Sequence, residues 1–272
     1  DSVGEWQECR ERFPNGIKEV TDYIRSKGMV PGVWLELEVM GINCEKAKKV
    51  PDDWFFVRHG KRVYDRSRYQ LDFRNPAVID HVNEVIDRVV KEYGVGYIKM
   101  DYNIEPGIGT EINADSVGQG MLEHERAYLA WLDDVFKRMD YAMLSRYSIQ
   151  STSDQEDYRN YATIVANETA GVTPEQAAIW SYPMRQGDKE EVIYNMVNAM
   201  LSRIHQSGHL AELPRERADL VKEGIACYKN IRQDIRKALP FLPLDIADNE
   251  DLWVCGGLKL DNKAYLAVWK RE

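Results

Sequence analysis

The sequence predicts an α/β fold, a (β/α)8 TIM barrel, because short apolar segments alternate with amphipathic segments of helical period, and acidic residues stand where the apolar segments end. Short connections between such elements favour parallel strands. In a (β/α)8 barrel the functional residues lie at the carboxyl ends of the strands, which is where these acids fall. A doubly wound sheet is the alternative, but no Gly-x-Gly-x-x-Gly motif follows a predicted strand.

The amino-terminal unit is a helix, a glycine turn and a strand. The helix ends at Gly28, and the strand covers Val30–Leu35. Glu36 and Glu38 follow the strand, and they are candidates either to line a pocket or to bridge surface arginines. The apolar face of the helix consists of Ile17, Val20, Tyr23 and Ile24.

The alternation continues along the chain. A strand over Tyr69–Phe73 precedes a helix that has Asn75 as its N-cap and Pro76 in its first position. The strand Gly96–Met100 follows that helix and ends at Asp101. The later predicted elements are a helix over Met121–Lys137, a strand over Tyr147–Gln150, and helices near Glu190–Ile204 and Glu216–Leu239.

The carboxyl-terminal segment has a different pattern. After Pro243, the segments Leu252–Cys255 and Ala264–Trp269 read as two antiparallel strands around a turn. We therefore predict two domains, a barrel over residues 1–243 and the start of a small antiparallel β domain over residues 244–272.

The charge of the chain excludes some classes of partner. The 272 residues include 45 acidic and 36 basic side chains, a formal net charge of −9. Nucleic acids and anionic membranes are bound by clustered Lys and Arg, so neither is expected as a partner. The balance suits a neutral or cationic small molecule.

The cysteines and apolar runs bear on localisation. Cys9, Cys44, Cys227 and Cys255 form no Cys-x-x-Cys pair and no zinc-site spacing, which favours free thiols in a reducing compartment. The apolar runs are shorter than the ~20 residues that span a bilayer. With no visible signal peptide the cytoplasm is favoured, and the start at Asp1 leaves secretion open.

Two aspartates are candidates for chemistry. Asp101 ends an apolar strand, where a buried charge needs compensation, and Lys99 shares its side-chain direction and can keep it ionised. Asp154 follows the strand at 147–150. The same residues also fit a plain ion pair at Asp101 and a helix capping box at Asp154. His205 and His209 lack a third ligand, so no metal site is expected.

Four motifs stand in order along the chain and together resemble those of one enzyme family. The first combines Gly4-Glu5-Trp6, Phe13–Ile17 and Gly32–Glu38, and the others are Leu71–Pro76, Tyr97–Asn103 and Ser151–Asp154. They are similar to G-D-W, F-P-x-G-L and G-L-W-x-E-P-E, then L-D-x-x-N-P, Y-I-K-W-D-M-N and W-T-S-D of the α-galactosidase (melibiase) family of retaining glycoside hydrolases. Each motif is moderately specific, and four in order make a strong resemblance.

The resemblance implies a retaining exo-glycoside hydrolase that cleaves terminal α-galactosyl residues from oligosaccharides or glycoconjugates by double displacement. Such enzymes use two carboxyl groups ~5–5.5 Å apart, and the motifs imply Asp101 as nucleophile and Asp154 as general acid/base. No metal or organic cofactor is implied, and a homo-oligomer is left open. The implied sugar-binding residues are Trp34, Arg66, Lys99, Asn103, Arg138 and Asp140.

The chain also departs from the family pattern. The family's first barrel strand is not in the sequence, and neither is a strand with a Cys-x-Ser-Gly-Gly loop near Lys137–Met139. We therefore expect a barrel that lacks its first strand and one internal strand-loop. Ser151, Met100 and Ile104 replace Trp, Trp and Arg of the pattern. The alternatives are an α-N-acetylgalactosaminidase or galactosaminidase, a transglycosylase, or a catalytically inactive carbohydrate-binding barrel.

Overall fold

A computed structural model describes residues 2–138 and 149–271 of the chain, which divides into two compact units at residues 146 and 147. Each unit contains a parallel sheet and helices that pack on it. The helices are α1 Ile17–Ser26, α2 Pro76–Asp87, α3 Val117–Arg138, α4 Tyr158–Glu168, α5 Lys189–Ala199 and α6 Arg215–Ile235.

Strands of the first unit are β1 Gly32–Leu35, β2 Val39–Gly41, β3 Val57–Arg58, β4 Lys61–Arg62, β5 Tyr64–Asp65, β6 Arg68–Gln70 and β7 Tyr97–Met100. Those of the second are β8 Gln150–Ser151, β9 Ala177–Ser181, β10 Arg203–Gln206, β11 Leu239–Phe241, β12 Trp253–Lys259 and β13 Ala264–Lys270.

The parallel pair of the first unit is β1 with β7, in a register that sets Trp34 opposite Lys99. The backbone N–H of Asp101 donates to the carbonyl oxygen of Leu35 at 2.9 Å, which continues the ladder by one residue. Glu36 and Asp101, the first residues after the two strands, therefore lie side by side at the carboxyl end of the sheet.

The crossover between these strands contains α2, as the sequence predicts. The side chain of Asn75 accepts a hydrogen bond from the backbone N–H of Ala77 at 2.9 Å, and Pro76 occupies the first helical position, where its missing N–H costs nothing. A π-helical turn, Arg88–Glu92, extends the helix toward Gly94, which has φ 69°. The buried face of α2 consists of Val78, His81, Val82, Val85 and Ile86.

The prediction of a barrel strand over Tyr69–Phe73 was wrong in its extent and its pairing. The strand covers Arg68–Gln70 and pairs antiparallel with β2 and with β5. A two-residue turn at Arg66 and Ser67, with φ 44° and 64°, joins β5 to β6. Positive φ at both positions is the geometry of a tight hairpin turn, which glycine or asparagine usually supplies, so neither residue indicates this turn in the sequence.

In the second unit β8, β9 and β10 form a parallel sheet with β9 in the middle. Neither β9 nor β10 was predicted, and the helix predicted to end near Ile204 was too long. The helix ends at Ala199, and β10 begins at Arg203 after a turn in which the N–H of Ser202 lies 3.4 Å from the Ala199 carbonyl oxygen. No glycine or proline marks this boundary.

The predicted carboxyl-terminal hairpin is confirmed. Strands β12 and β13 pair antiparallel from Trp253 opposite Lys270 to Lys259 opposite Ala264, and β11 adds a third strand. Val254 and Trp269 of this hairpin share a buried cluster with Tyr161 of α4. The division into domains at residues 243 and 244 stays a prediction, as does the (β/α)8 barrel that lacks its first strand and one internal strand-loop.

Three further expectations concern the chain as a whole. None of the described helices is both long and apolar enough to cross a membrane. The four cysteines all lie in the described ranges and are free thiols, with Cys44 and Cys255 buried. The strand-loop expected to be missing near Lys137–Met139 stays a prediction, because Met139 lies outside the described residues.

Candidate active site

Asp101 lies at the carboxyl end of β7, where the two strands deliver its hydrogen-bond partners. The indole N–H of Trp34 donates to Oδ2 at 2.7 Å, and the backbone N–H of Tyr102 donates to Oδ1 at 3.1 Å. The ammonium of Lys99 lies 3.9 Å from Oδ2, and the side chain of Asp101 is 29% exposed. Both carboxylate oxygens are thus bound, while the group stays accessible from solvent.

These partners keep Asp101 ionised. Burial raises the pKa of Asp101, but hydrogen bonds from Trp34 and Asn103 together with the charge of Lys99 outweigh that effect and hold the pKa below its usual value. A carboxylate that is charged yet only partly solvated is the form that a nucleophile requires. The contacts of Asp101 go beyond a plain ion pair with Lys99, because the indole N–H of Trp34 lies nearer to the carboxylate.

A buried ionic network supports Asn103 beside Asp101. The side chain of Glu36 is fully buried; its Oε2 lies 2.6 Å from Nε of Arg68, and its Oε1 accepts from Nδ2 of Asn103 at 2.8 Å. Because Nδ2 is the donor, the amide oxygen of Asn103 is the group left to accept from a ligand. Of the two roles predicted for Glu36, the structure supports the bridge to arginine, and the arginine is partly buried.

Arg66 occupies the tight turn between β5 and β6. Its φ of 44° is unusual for a residue other than glycine, asparagine or aspartate, and Ser67 next to it has φ 64°. Nη1 of Arg66 lies 3.5 Å from the carbonyl oxygen of Asn103, and Arg68 donates to the carbonyl oxygen of Arg66 at 2.9 Å. Strained backbone of this kind concentrates at functional positions, and here it brings Arg66 to the loop that follows Asp101.

Trp34 adds an aromatic surface to the same group of residues. Its ring meets that of Trp6 edge to face, with centroids 5.6 Å apart, and 37% of the residue is exposed. An exposed aromatic ring beside hydrogen-bonding groups suits the mixed apolar and polar faces of a sugar. The first unit therefore brings together Asp101 with Trp34, Arg66, Lys99 and Asn103, as the sequence predicts.

Asp154 belongs to the second unit. It follows β8 by three residues and is exposed, and its Oδ1 lies 3.3 Å from the hydroxyl of Tyr182. The N-cap of α4 is Asp157, which accepts from the N–H groups of Arg159 and Asn160 at 3.0 and 2.9 Å. The capping interpretation of Asp154 was therefore wrong by three residues, and its carboxylate is not used by the helix.

Aromatic residues on and after β9 form the surroundings of Asp154. Trp180 and Tyr182 are two residues apart, and their rings stack with centroids 5.7 Å apart. Burial raises the pKa of Tyr182, and the charge of Asp154 raises it further. The phenol consequently keeps its proton and donates a hydrogen bond to Oδ1 of Asp154. Neither aromatic residue was predicted as part of the site, since β9 itself was missed.

The remaining predicted residues are at or beyond the edge of the described part. Arg138 ends α3, and Asp140 lies outside the described residues, so their sugar contacts stay predictions.

His205 lies on β10 and His209 precedes a short 3-10 helix, so the two do not share a helix face. Within residues 2–138 and 149–271, no group of three His, Cys, Asp or Glu side chains is arranged to hold a metal ion.

Comparison with known proteins points to one family. The family model named Melibiase matches residues 1–155, more than half of the chain. An α-galactosidase of Lactobacillus acidophilus is 26% identical over 139 residues, which cover 50% of this chain and 19% of that protein. The α-galactosidase AgaA of Geobacillus stearothermophilus is 30% identical over 102 residues, which cover 38% of this chain and 14% of that protein.

Solved structures extend the similarity over the whole fold. A Geobacillus stearothermophilus α-galactosidase in complex with raffinose superposes with a TM-score of 0.83 at 18% identity, covering 99% of this chain and 40% of that one. An α-galactosidase from Lactobacillus brevis gives a TM-score of 0.80, also at 18% identity, with 99% and 39% covered. At this identity the match shows the α/β fold of these hydrolases.

The chain corresponds to only part of each of these relatives. It spans 19% or less of the length of the two curated proteins and about 40% of the two solved structures. The match to the Melibiase model begins at the first residue and continues through Ser151–Asp154, so it includes all four motifs. On that match the chain belongs to the melibiase family.

Proposed function

We propose that the chain carries the catalytic residues of a retaining exo-α-galactosidase, with Asp101 as nucleophile and Asp154 as general acid/base. The observation that carries the proposal is the state of Asp101, a carboxylate bound by an indole N–H and a backbone N–H at the end of β7 and kept ionised although half-buried. The α-galactosidases among the relatives, including structures in complex with raffinose and stachyose, support α-galactosyl oligosaccharides as substrates.

In the first step a carboxylate oxygen of Asp101 attacks the anomeric carbon, and the glycosidic C–O bond breaks. Asp154 gives its proton to the departing oxygen, and the sugar becomes an ester of Asp101 with inverted configuration. Asp154 is suited to this role because it is exposed and is not consumed by the cap of α4. The phenol of Tyr182 donates to its Oδ1, so Oδ2 is the oxygen that carries the transferable proton.

In the second step Asp154 acts as a base. It takes a proton from water, the water oxygen attacks the anomeric carbon, and the bond to Asp101 breaks. The two inversions restore the α configuration. Asp101 leaves as the carboxylate that Trp34, Asn103 and Lys99 stabilise, and the same contacts therefore lower the energy of the departing group.

We propose Trp34, Arg66, Lys99 and Asn103 as the residues that bind the sugar. Trp34 offers a ring face, the two cations and the amide oxygen of Asn103 offer polar contacts, and Glu36 fixes the direction of that amide. Arg138 and Asp140 are proposed to complete the subsite from the family motif alone. A homo-oligomer and a cytoplasmic location remain proposals that rest on the sequence.

The exact sugar is the open choice within this chemistry. An N-acetylgalactosamine or galactosamine at the cleaved position, or transfer to a sugar acceptor in place of water, uses the same two aspartates. A catalytically inactive carbohydrate-binding barrel is the alternative from another class. Hydrolysis rates on a panel of aryl α-glycosides separate these possibilities, because an inactive barrel cleaves none of them.

Azide rescue tests the two roles separately. In Asp154→Ala an activated aryl α-galactoside still forms the ester on Asp101, and azide attacks that ester, so the product is the α-galactosyl azide. In Asp101→Ala azide attacks the substrate directly, and the single inversion gives the β-azide. If Asp154→Ala gives the β-azide and Asp101→Ala gives the α-azide, the assignment of roles is refuted. Wild-type rates in Asp101→Ala would refute the mechanism as a whole.

A further inference from the structure

Tyr102, the residue after the proposed nucleophile, links Asp101 to the neighbouring antiparallel sheet. Its hydroxyl lies 2.6 Å from Oε1 of Gln70, which is fully buried on β6. Its backbone N–H donates to Oδ1 of Asp101 at 3.1 Å. Tyr102 therefore binds the carboxylate of Asp101 through its backbone N–H and binds β6 through its side-chain hydroxyl.

The direction of the bond between Tyr102 and Gln70 follows from the other bonds of the Gln70 amide. Its Nε2 donates to the carbonyl oxygens of Glu38 at 3.2 Å and Leu71 at 3.0 Å. Carbonyl oxygens only accept, so the amide nitrogen must face them and Oε1 must face Tyr102. The phenol is consequently the donor, and Gln70 cannot rotate to replace it without losing two buried hydrogen bonds.

The surroundings keep this phenol protonated. Burial raises the pKa of Tyr102, and nearby carboxylates raise it further because a phenolate would add another negative charge. Those carboxylates are Glu38, Glu125, Asp65 and Glu36. The ammonium of Lys99 lies 3.9 Å from Oδ2 of Asp101. The phenol is thus protonated at neutral pH, where Asp101 is a carboxylate.

We propose that Tyr102 is a positioning residue, whose side-chain bond to Gln70 fixes the backbone N–H that orients Oδ1 of Asp101. The inference rests on the proposed function, because it takes Asp101 as the nucleophile. Tyr102 stands where the family motif Y-I-K-W-D-M-N has methionine, which has no hydroxyl.

The benefit of this link is geometric. A loop residue after a strand end has few backbone partners of its own, and a reacting atom displaced by ~1 Å costs up to about 100-fold in rate. The link from Tyr102 runs through a fully buried amide that is itself held by two carbonyl oxygens. The N–H that binds Oδ1 of Asp101 is thus fixed to the antiparallel sheet, in addition to the bonds that Asp101 makes with Leu35 and Trp34.

The kinetics of Tyr102→Phe test the positioning role. Tyr102→Phe should lower kcat by roughly 10-fold or more with KM nearly unchanged, the pattern of a lost transition-state alignment. It also leaves Oε1 of Gln70 buried without a donor, which lowers stability. An osmolyte such as trimethylamine N-oxide strengthens folding without replacing the hydrogen bond, so in its presence Tyr102→Phe should regain stability but not kcat. If kcat returns together with stability, Tyr102 is merely structural and the proposal is overturned.

A matched control uses another tyrosine of the same unit. The hydroxyl of Tyr93 accepts a hydrogen bond from the backbone N–H of Glu8 at 3.1 Å, and Tyr93 precedes β7, at the opposite end of that strand from Asp101. Tyr93→Phe therefore removes one tertiary hydrogen bond and should leave kcat unchanged. A loss of kcat in Tyr93→Phe equal to that in Tyr102→Phe would show a general effect of stability and would overturn the proposal.

A second measurement does not depend on activity. With 15N-tyrosine labelling, the amide signal of Tyr102 reports the ionisation of Asp101 through their hydrogen bond, and Tyr102→Phe identifies the signal. In Gln70→Leu the titration midpoint should rise by about half a pH unit, because a looser N–H stabilises the carboxylate less. An unchanged midpoint overturns the proposal. If the wild-type chain cleaves no glycoside, the proposed function fails, and this titration still tests the link.

Discussion

Glu38 provides a quantitative test of the electrostatics near the site. It lies three residues after β1, and burial raises its pKa to about 7 from an ordinary value of 4.5, with Tyr128 opposing and Glu125 adding to that change. A carboxyl whose pKa is raised on folding stabilises the fold fully below pH 4.5 and loses that contribution as the pH rises to about 7. Glu38→Gln removes the titration while keeping the shape.

The expected size follows from the two pKa values. A difference of one between the folded and unfolded pKa corresponds to about 1.4 kcal/mol, so the full penalty on ionised Glu38 is about 3 kcal/mol. Between pH 5 and pH 8.5 the free energy of unfolding of Glu38→Gln should rise by about 2.5 kcal/mol relative to wild type. With a urea m-value of about 2 kcal/mol per molar, the midpoint difference grows by about 1 M.

Thiol labelling provides an assay that follows the first unit. Cys44 is buried in the core of that unit, so its reaction with a thiol reagent at increasing urea, read by mass spectrometry of its peptide, reports the unfolding of that core. Glu92→Gln, at an exposed position, is the matched control for the loss of one carboxylate and should leave the urea midpoint nearly unchanged. If the difference between Glu38→Gln and wild type is the same at pH 5 and pH 8.5, burial does not raise the pKa of Glu38.

Three other expectations follow from single contacts. Arg68→Met leaves the buried carboxylate of Glu36 without its cation and should cost about 3 kcal/mol in urea unfolding; a loss under about 0.5 kcal/mol would contradict the network. Asp157→Ala removes the cap of α4 and should cost about 1 kcal/mol with kcat retained, so a collapse of activity would contradict the assignment of the cap to Asp157. Tyr182→Phe removes the hydrogen bond that orients Oδ1 of Asp154 and should lower kcat/KM by roughly 10-fold with the fold intact; an unchanged kcat/KM would count against this contact.

The elements that were predicted well have local signals in the sequence. Asn75 and Pro76 supply a cap and a first helical residue for α2, and their effects operate within one turn of the chain. The placement of Asp101 at the end of an apolar strand follows from the period of the pattern and from the family motif. Lys99 and Trp34 meet it because the β1–β7 register sets them opposite each other.

The elements that were missed depend on distant partners. The segment Arg203–Gln206 continues the helical pattern of α5 in the sequence, yet in the structure it is a strand that pairs with β9. No residue within the segment predicts that pairing. The partner of Glu36 is Arg68, 32 positions along the chain, brought there by a tight turn made of residues that seldom take positive φ. Burial of this ion pair follows from tertiary packing and not from composition.

The proposed mechanism requires a covalent bond between Asp101 and the sugar. Incubation with a fluorinated α-galactosyl fluoride that forms the ester quickly and hydrolyses slowly, followed by proteolysis and tandem mass spectrometry, locates that bond directly. We expect one sugar attached to the Asp101 side chain, and no adduct in Asp101→Ala. A sugar attached to another carboxylate, or an identical adduct in Asp101→Ala, would show that Asp101 is not the nucleophile.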